Sequence, residues 1–141
     1  MTQVSIKNKL MGLFPSEDWN NPKRHISALV KGGKVFAYAE SSLGGKLYCA
    51  SVRGRSCHSE MTVLKFIGPG LGNKRKVRKY TMWNIRWSRN GDIVNSKPCS
   101  HCQKVMLDVG IKTVVFSTSN GIFVKSKLAH LNCQLSSGYT Y

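Results

Sequence analysis

Cys57-His58-Ser59-Glu60 and, further along, Pro98-Cys99-Ser100-His101-Cys102 are the two stretches on which the reading of this chain turns. A histidine, two cysteines at i and i+3, and a carboxylate two residues after the histidine are what a catalytic zinc centre needs: three nitrogen and sulfur ligands, an open fourth position, and a proton-transfer group beside it. With Pro98 as the first residue of a helix, where its missing N–H costs nothing, Cys99 and Cys102 project from one face of the first turn. The positive helix end favours thiolate, the form that binds zinc. On a regular helix His58 and Glu60 point about 200° apart. That separates their tasks: His58 serves as a neutral imidazole ligand, and Glu60 stays off the metal, free to move a proton.

C-x-x-C alone serves structural zinc, redox chemistry and chance equally well. Pro98 in front of it and H-x-E upstream narrow the choice. His58-Ser59-Glu60 followed by Pro98-Cys99-Ser100-His101-Cys102 resembles the H-x-E…P-C-x-x-C signature of the cytidine deaminase superfamily, which includes cytidine and deoxycytidylate deaminases, tRNA adenosine deaminases and polynucleotide deaminases of the AID/APOBEC type. The resemblance implies zinc held by His58, Cys99 and Cys102, with Glu60 as proton shuttle, in a hydrolysis that replaces an exocyclic amine by oxygen and releases ammonia. The leading expectation is cytosine converted to uracil in single-stranded nucleic acid. The alternatives are a free-nucleotide deaminase (cytidine or deoxycytidylate, as in nucleotide salvage), an adenosine-to-inosine enzyme of the tRNA type, and a non-catalytic, zinc-stabilised nucleic-acid-binding domain.

The chain has 141 residues, 41% of them apolar, which suits a single domain over residues 1–141 with one core. No apolar run approaches the ~18 residues of a membrane span, and Met1 to Phe14 has no signal-peptide pattern. An intracellular location, cytoplasmic or nuclear, is expected. Cys49, Cys57 and Cys133 read as reduced thiols outside the ligand set. Twenty-two Lys and Arg against six Asp and Glu give a net charge of +16, which attracts polyanions by counterion release. Nucleic acid or nucleotide is the expected partner, a merely solvated basic surface the plainer alternative.

Asn21-Pro22 reads as a cap and first helical residue, and Gly32-Gly33 as a stop, so the pattern predicts a helix over Pro22 to Lys31. Strands are expected over Lys34 to Glu40 and Lys46 to Arg53, joined by a hairpin at Ser41 to Gly45. A second helix runs from His58 to about Ile67, ended by Gly68-Pro69-Gly70. Tyr80 to Trp87 alternates like a strand covered on both faces, with Trp83 and Trp87 in the core. Asn90-Gly91 is a turn signal. A third helix spans Pro98 to Val109, stopped by Gly110; Ile111 to Ser117 reads as a buried strand, Ile122 to Val124 as a short one, and Lys127 to Leu135 as a last helix. His25, His101 and His130 are not expected on the metal. The order describes an α/β chain: a three-layer α/β/α sandwich with a mixed sheet of about five strands, as the resemblance also implies.

Both ligand segments open helices, so the loops at that end carry the candidate phosphate contacts: Arg53, Arg55, Arg89, Lys97, Lys125 and Lys127. The run Lys74 to Lys79 follows the far end of the second helix, about one helix length or 15 Å away, where only a longer polymer or another partner reaches it.

Overall fold

The computed structural model describes residues 3–12, 25–40, 59–88 and 92–133. These form an α/β unit around a mixed six-stranded sheet. The strands are β1 (His25–Lys31), β2 (Lys34–Glu40), β3 (Thr81–Trp87), β4 (Ile93–Val94), β5 (Thr113–Ser117) and β6 (Phe123–Lys127). Five of them lie in the order β2-β1-β3-β5-β6, and β4 pairs with the end of β3. Only β3 and β5 run parallel, and the helix that joins them, α4 (Ser100–Val109), is the crossover such a pair requires. The other helices are α1 (Gln3–Met11), α2 (Ser59–Leu64) and the single turn α3 (Lys74–Val77).

His25–Lys31 is a strand where a helix over Pro22 to Lys31 was expected. Two things decide it. Ile26, Ala28 and Val30 face one side and Ser27 and Leu29 the other, and all five are buried because β1 sits between β2 and β3. Gly32 and Gly33 both have positive φ, 60° and 76°. Two such central residues are what a tight hairpin demands, so the pair joins β1 to β2 instead of ending a helix. The expected strand over Lys46 to Arg53 and the turns at Ser41 to Gly45 and Asn90-Gly91 lie outside the described residues.

Further along, α2 stops at Leu64, and the chain continues in 3-10 turns over Lys65–Gly72, broken at Gly68 (φ 65°, ψ −133°). The basic run then folds into α3, capped by the Asn73 carboxamide oxygen, which accepts from the N–H groups of Arg75 and Lys76 at 3.1 and 3.3 Å. Its charges are exposed, and Val77 alone anchors it in the core. The expected last helix reduces to one 3-10 turn, Leu128–His130, because Lys127 still pairs with Thr113 in the sheet.

Alternation along the central strands divides the core in two. Leu29, Met82, Val114 and Phe116 pack with Val63, Leu64 and Met106 of α2 and α4. On the opposite sheet face Ile26, Ala28, Trp83, Ile85 and Trp87 pack with Ile6 and Leu10 of α1. Both tryptophans are core residues, as the alternation predicts. Burying one such side chain contributes about 1.5–3 kcal/mol. No described helix is long and apolar enough to cross a membrane.

Candidate active site

Glu60 is the second residue of α2 and is 1% exposed. A carboxylate so deep needs partners, and the central strands supply one. Asn84, in the middle of β3, donates from Nδ2 to Glu60 Oε2 at 3.0 Å and to the Ser96 carbonyl at 3.2 Å. Its cross-strand neighbour on β1 is Ser27, whose hydroxyl donates to Asn84 Oδ1 at 2.6 Å and lies 2.6 Å from the Ser59 hydroxyl. The single Ser27 proton is then spent on Asn84, so Ser59 donates to Ser27.

Ser96 closes the network. Its hydroxyl donates to the Asn84 carbonyl at 2.7 Å and accepts from the Ser117 N–H at 2.8 Å. Asn84 and its serine partners Ser27, Ser59, Ser96 and Ser117 are all buried. This network fixes one oxygen of Glu60 and leaves the other: Oε1 has no hydrogen-bond partner among the described residues.

Cys99 and Cys102 meet at the start of α4. Pro98 lies one residue before the cap instead of opening the helix; Cys99 is the cap, in extended conformation (φ −73°, ψ 165°), and its sulfur accepts from the Cys102 N–H at 3.4 Å. The cap position brings the two sulfurs together, as i and i+3 spacing requires. Both are buried. The helix start does not make Cys102 a ready thiolate. Its thiol is pushed well above the ordinary range by the hydrogen bond with Cys99 first, then by burial, then by the Glu60 carboxylate. Cys133 is also close: burial raises its thiol most, Lys97 lowers it, and Cys99 and Glu60 raise it.

Cys99 and Cys102 therefore adjoin, within reach of the Glu60 carboxylate's charge, and Lys97, two residues before Cys99, donates from Nζ to the Asn132 carbonyl at 2.8 Å. His58, Arg53, Arg55 and Arg89 lie outside the described residues. Among the described residues no three His, Cys, Asp or Glu side chains form a metal-sized group. The remaining two phosphate candidates lie elsewhere than expected. The chain after β5 returns antiparallel as β6, which places Lys125 opposite Val115 at mid-sheet and Lys127 opposite Thr113, at the other end of α4 from the cysteines.

The sequence reading missed the polar network. Its signal was an asparagine inside the otherwise apolar centre of a strand, Met82-Trp83-Asn84-Ile85, and a serine in Ile26-Ser27-Ala28. A buried amide in such a place needs a polar partner. A scan against protein-family models and searches of curated proteins and of solved structures found no match.

Proposed function

We propose that this chain is a zinc-dependent hydrolytic deaminase that converts cytosine to uracil, acting on single-stranded nucleic acid, with the three-layer α/β/α arrangement of the cytidine deaminase superfamily. The observation that carries this reading is the Glu60 carboxylate, buried and held at Oε2 by Asn84, with Oε1 unpartnered among the described residues and its charge felt by the Cys102 thiol. A structural zinc knuckle has no use for such a group. The donor set fits zinc: Cys99 and Cys102 supply two sulfurs, and His58, directly before Ser59 at the start of α2, supplies the nitrogen.

A zinc ion held by His58, Cys99 and Cys102 would supply a water acidified enough to serve as nucleophile at neutral pH. Glu60 Oε1 takes a proton from water and delivers it to the base. Water oxygen adds to the carbon bearing the exocyclic amine; the first proton stays on the neighbouring ring nitrogen, Glu60 carries the second from the added hydroxyl to the amine, the C–N bond breaks, and ammonia leaves as the uracil carbonyl forms. Asn84 holds the carboxylate in one orientation throughout, and the apolar packing around Cys99 and Cys102 excludes bulk water. The charge of +16 favours a polyanionic substrate over a free nucleotide.

Ammonia release from zinc-loaded protein is measured on deoxycytidylate, cytidine, single-stranded DNA, RNA and tRNA. Single-stranded nucleic acid is expected to react best, and Glu60→Ala is expected to keep its zinc while turnover falls at least ~100-fold. No reaction with any of them, or full turnover in Glu60→Ala, overturns the proposal.

A further inference from the structure

At the far end of α4 from the cysteines lies a cleft of about 680 Å³. Its walls come from three segments: Lys74, Arg75 and Arg78 of the α3 turn on one side, and Lys112 and Lys127, at the beginning of β5 and the end of β6, on the other. All five side chains are exposed, and no acidic residue lines the cleft. Leu107, Ile111 and Ala129 add apolar atoms to the lining.

The negative end of α4 points here and would oppose an anion, but two of its last four carbonyls are occupied within the fold. The Gly110 N–H donates to the Met106 and Leu107 carbonyls at 3.1 Å each, and the Ile111 N–H to Met106 at 2.9 Å. Like charges are held this close by the fold itself. Gly110, with φ 112°, brings the helix end against α3, so that a Cβ there would lie 2.9 Å from the Lys74 Cα.

We infer that this cleft is a second binding site, one that takes the sugar-phosphate backbone of single-stranded nucleic acid about 15 Å, one ten-residue helix, from Glu60. Cations on facing walls match phosphates that follow one another along a strand, and the cleft volume suits a nucleotide unit better than a lone phosphate. Lys127, expected to contact phosphate beside the reacting base, contacts it here instead. The inference shares its ligand class with the deaminase proposal but does not need turnover.

The test is fluorescence anisotropy of a labelled 12-nucleotide single strand between 50 and 300 mM salt, on the full chain. Arg75→Ala/Arg78→Ala/Lys127→Ala should weaken binding at least tenfold and lower the salt slope by about 2, at ~0.7 per lost contact. Lys9→Ala, on α1 across the sheet, should match the unaltered protein. Bound strand should shield Lys112 and Lys127 from amine acylation, and Glu60→Ala should bind normally even though it does not turn over. An unchanged slope in the triple variant, or shielding confined to Lys97 and Lys104, overturns the inference. So does cytidine triphosphate or pyrophosphate competing as well as the strand per phosphate, which would make the cleft a site for small phosphates.

Discussion

Replacing Asn84 by alanine removes three hydrogen bonds at once: one to the Glu60 carboxylate, one to the Ser96 carbonyl, and one accepted from Ser27. A bond to a charged group contributes about 1.5–3 kcal/mol and one between neutral groups about 0.5–1.5 kcal/mol. Asn84→Ala should therefore cost about 3–5 kcal/mol, a large part of the roughly 5–15 kcal/mol that holds a domain together. The greater share comes from Glu60, whose carboxylate would be left buried with neither oxygen bonded within the described residues. Removing the charge should relieve much of that. In urea unfolding with chelator present, the midpoint of Asn84→Ala should fall by about 2 M, taking a slope near 2 kcal/mol/M. Glu60→Gln/Asn84→Ala should be more stable than the sum of the single variants predicts by at least ~1 kcal/mol, well beyond the ~0.5 kcal/mol scatter of independent sites. Additive losses, or an Asn84→Ala cost below about 1 kcal/mol, would refute the idea that Asn84 holds a buried charge.

If zinc binds at His58, Cys99 and Cys102, chelation should lower the melting temperature by roughly 8 °C, since saturation at 100 times the dissociation constant adds about 2.7 kcal/mol; Cys99→Ala/Cys102→Ala should lose that chelator response, and an unaltered protein indifferent to chelator would argue against the metal. Gly110→Ala meets both a left-handed backbone and the Lys74 Cα at 2.9 Å, so denaturant unfolding should show a loss of about 2–3 kcal/mol, and a loss under 0.5 kcal/mol would mean that α3 and α4 can part freely. Met106→Ala, fully buried between α4 and the sheet, should cost about 2–5 kcal/mol, with a smaller loss showing that the space collapses.

Alternation made β3 legible, and the β-branched and aromatic content of β2 and β5 marked those strands, although β2 leaves Phe36 and Tyr38 exposed. Helix α4 was legible from its glycine stop and the C-x-x-C start. Strand β1 was misread because Gly32-Gly33 punctuates a hairpin and a helix end alike, and only the pairing of β1 with both neighbours settles which. Among the described side chains helix α1 carries Ile6 and Leu10 into the core, too sparse a stripe to stand out in sequence. At the site, the meeting of Cys99 with Cys102 followed from spacing, whereas Glu60 beside them was what the family resemblance implied. The Asn84 network followed from neither, since it depends on which strands are neighbours. The expectation for Lys127 placed it in a loop beside the ligand segments, whereas the chain doubles back after Ser117 and carries it along β6 to the opposite end.

That doubling back leaves β6 at the margin of the sheet, where among the described residues no further strand joins it. An open margin invites another extended chain to add on. A second copy pairing antiparallel about its midpoint would set Lys125 against Lys125, and like charges directly opposite repel. Lys125 and Lys127 along this margin thus discourage two copies from pairing edge to edge.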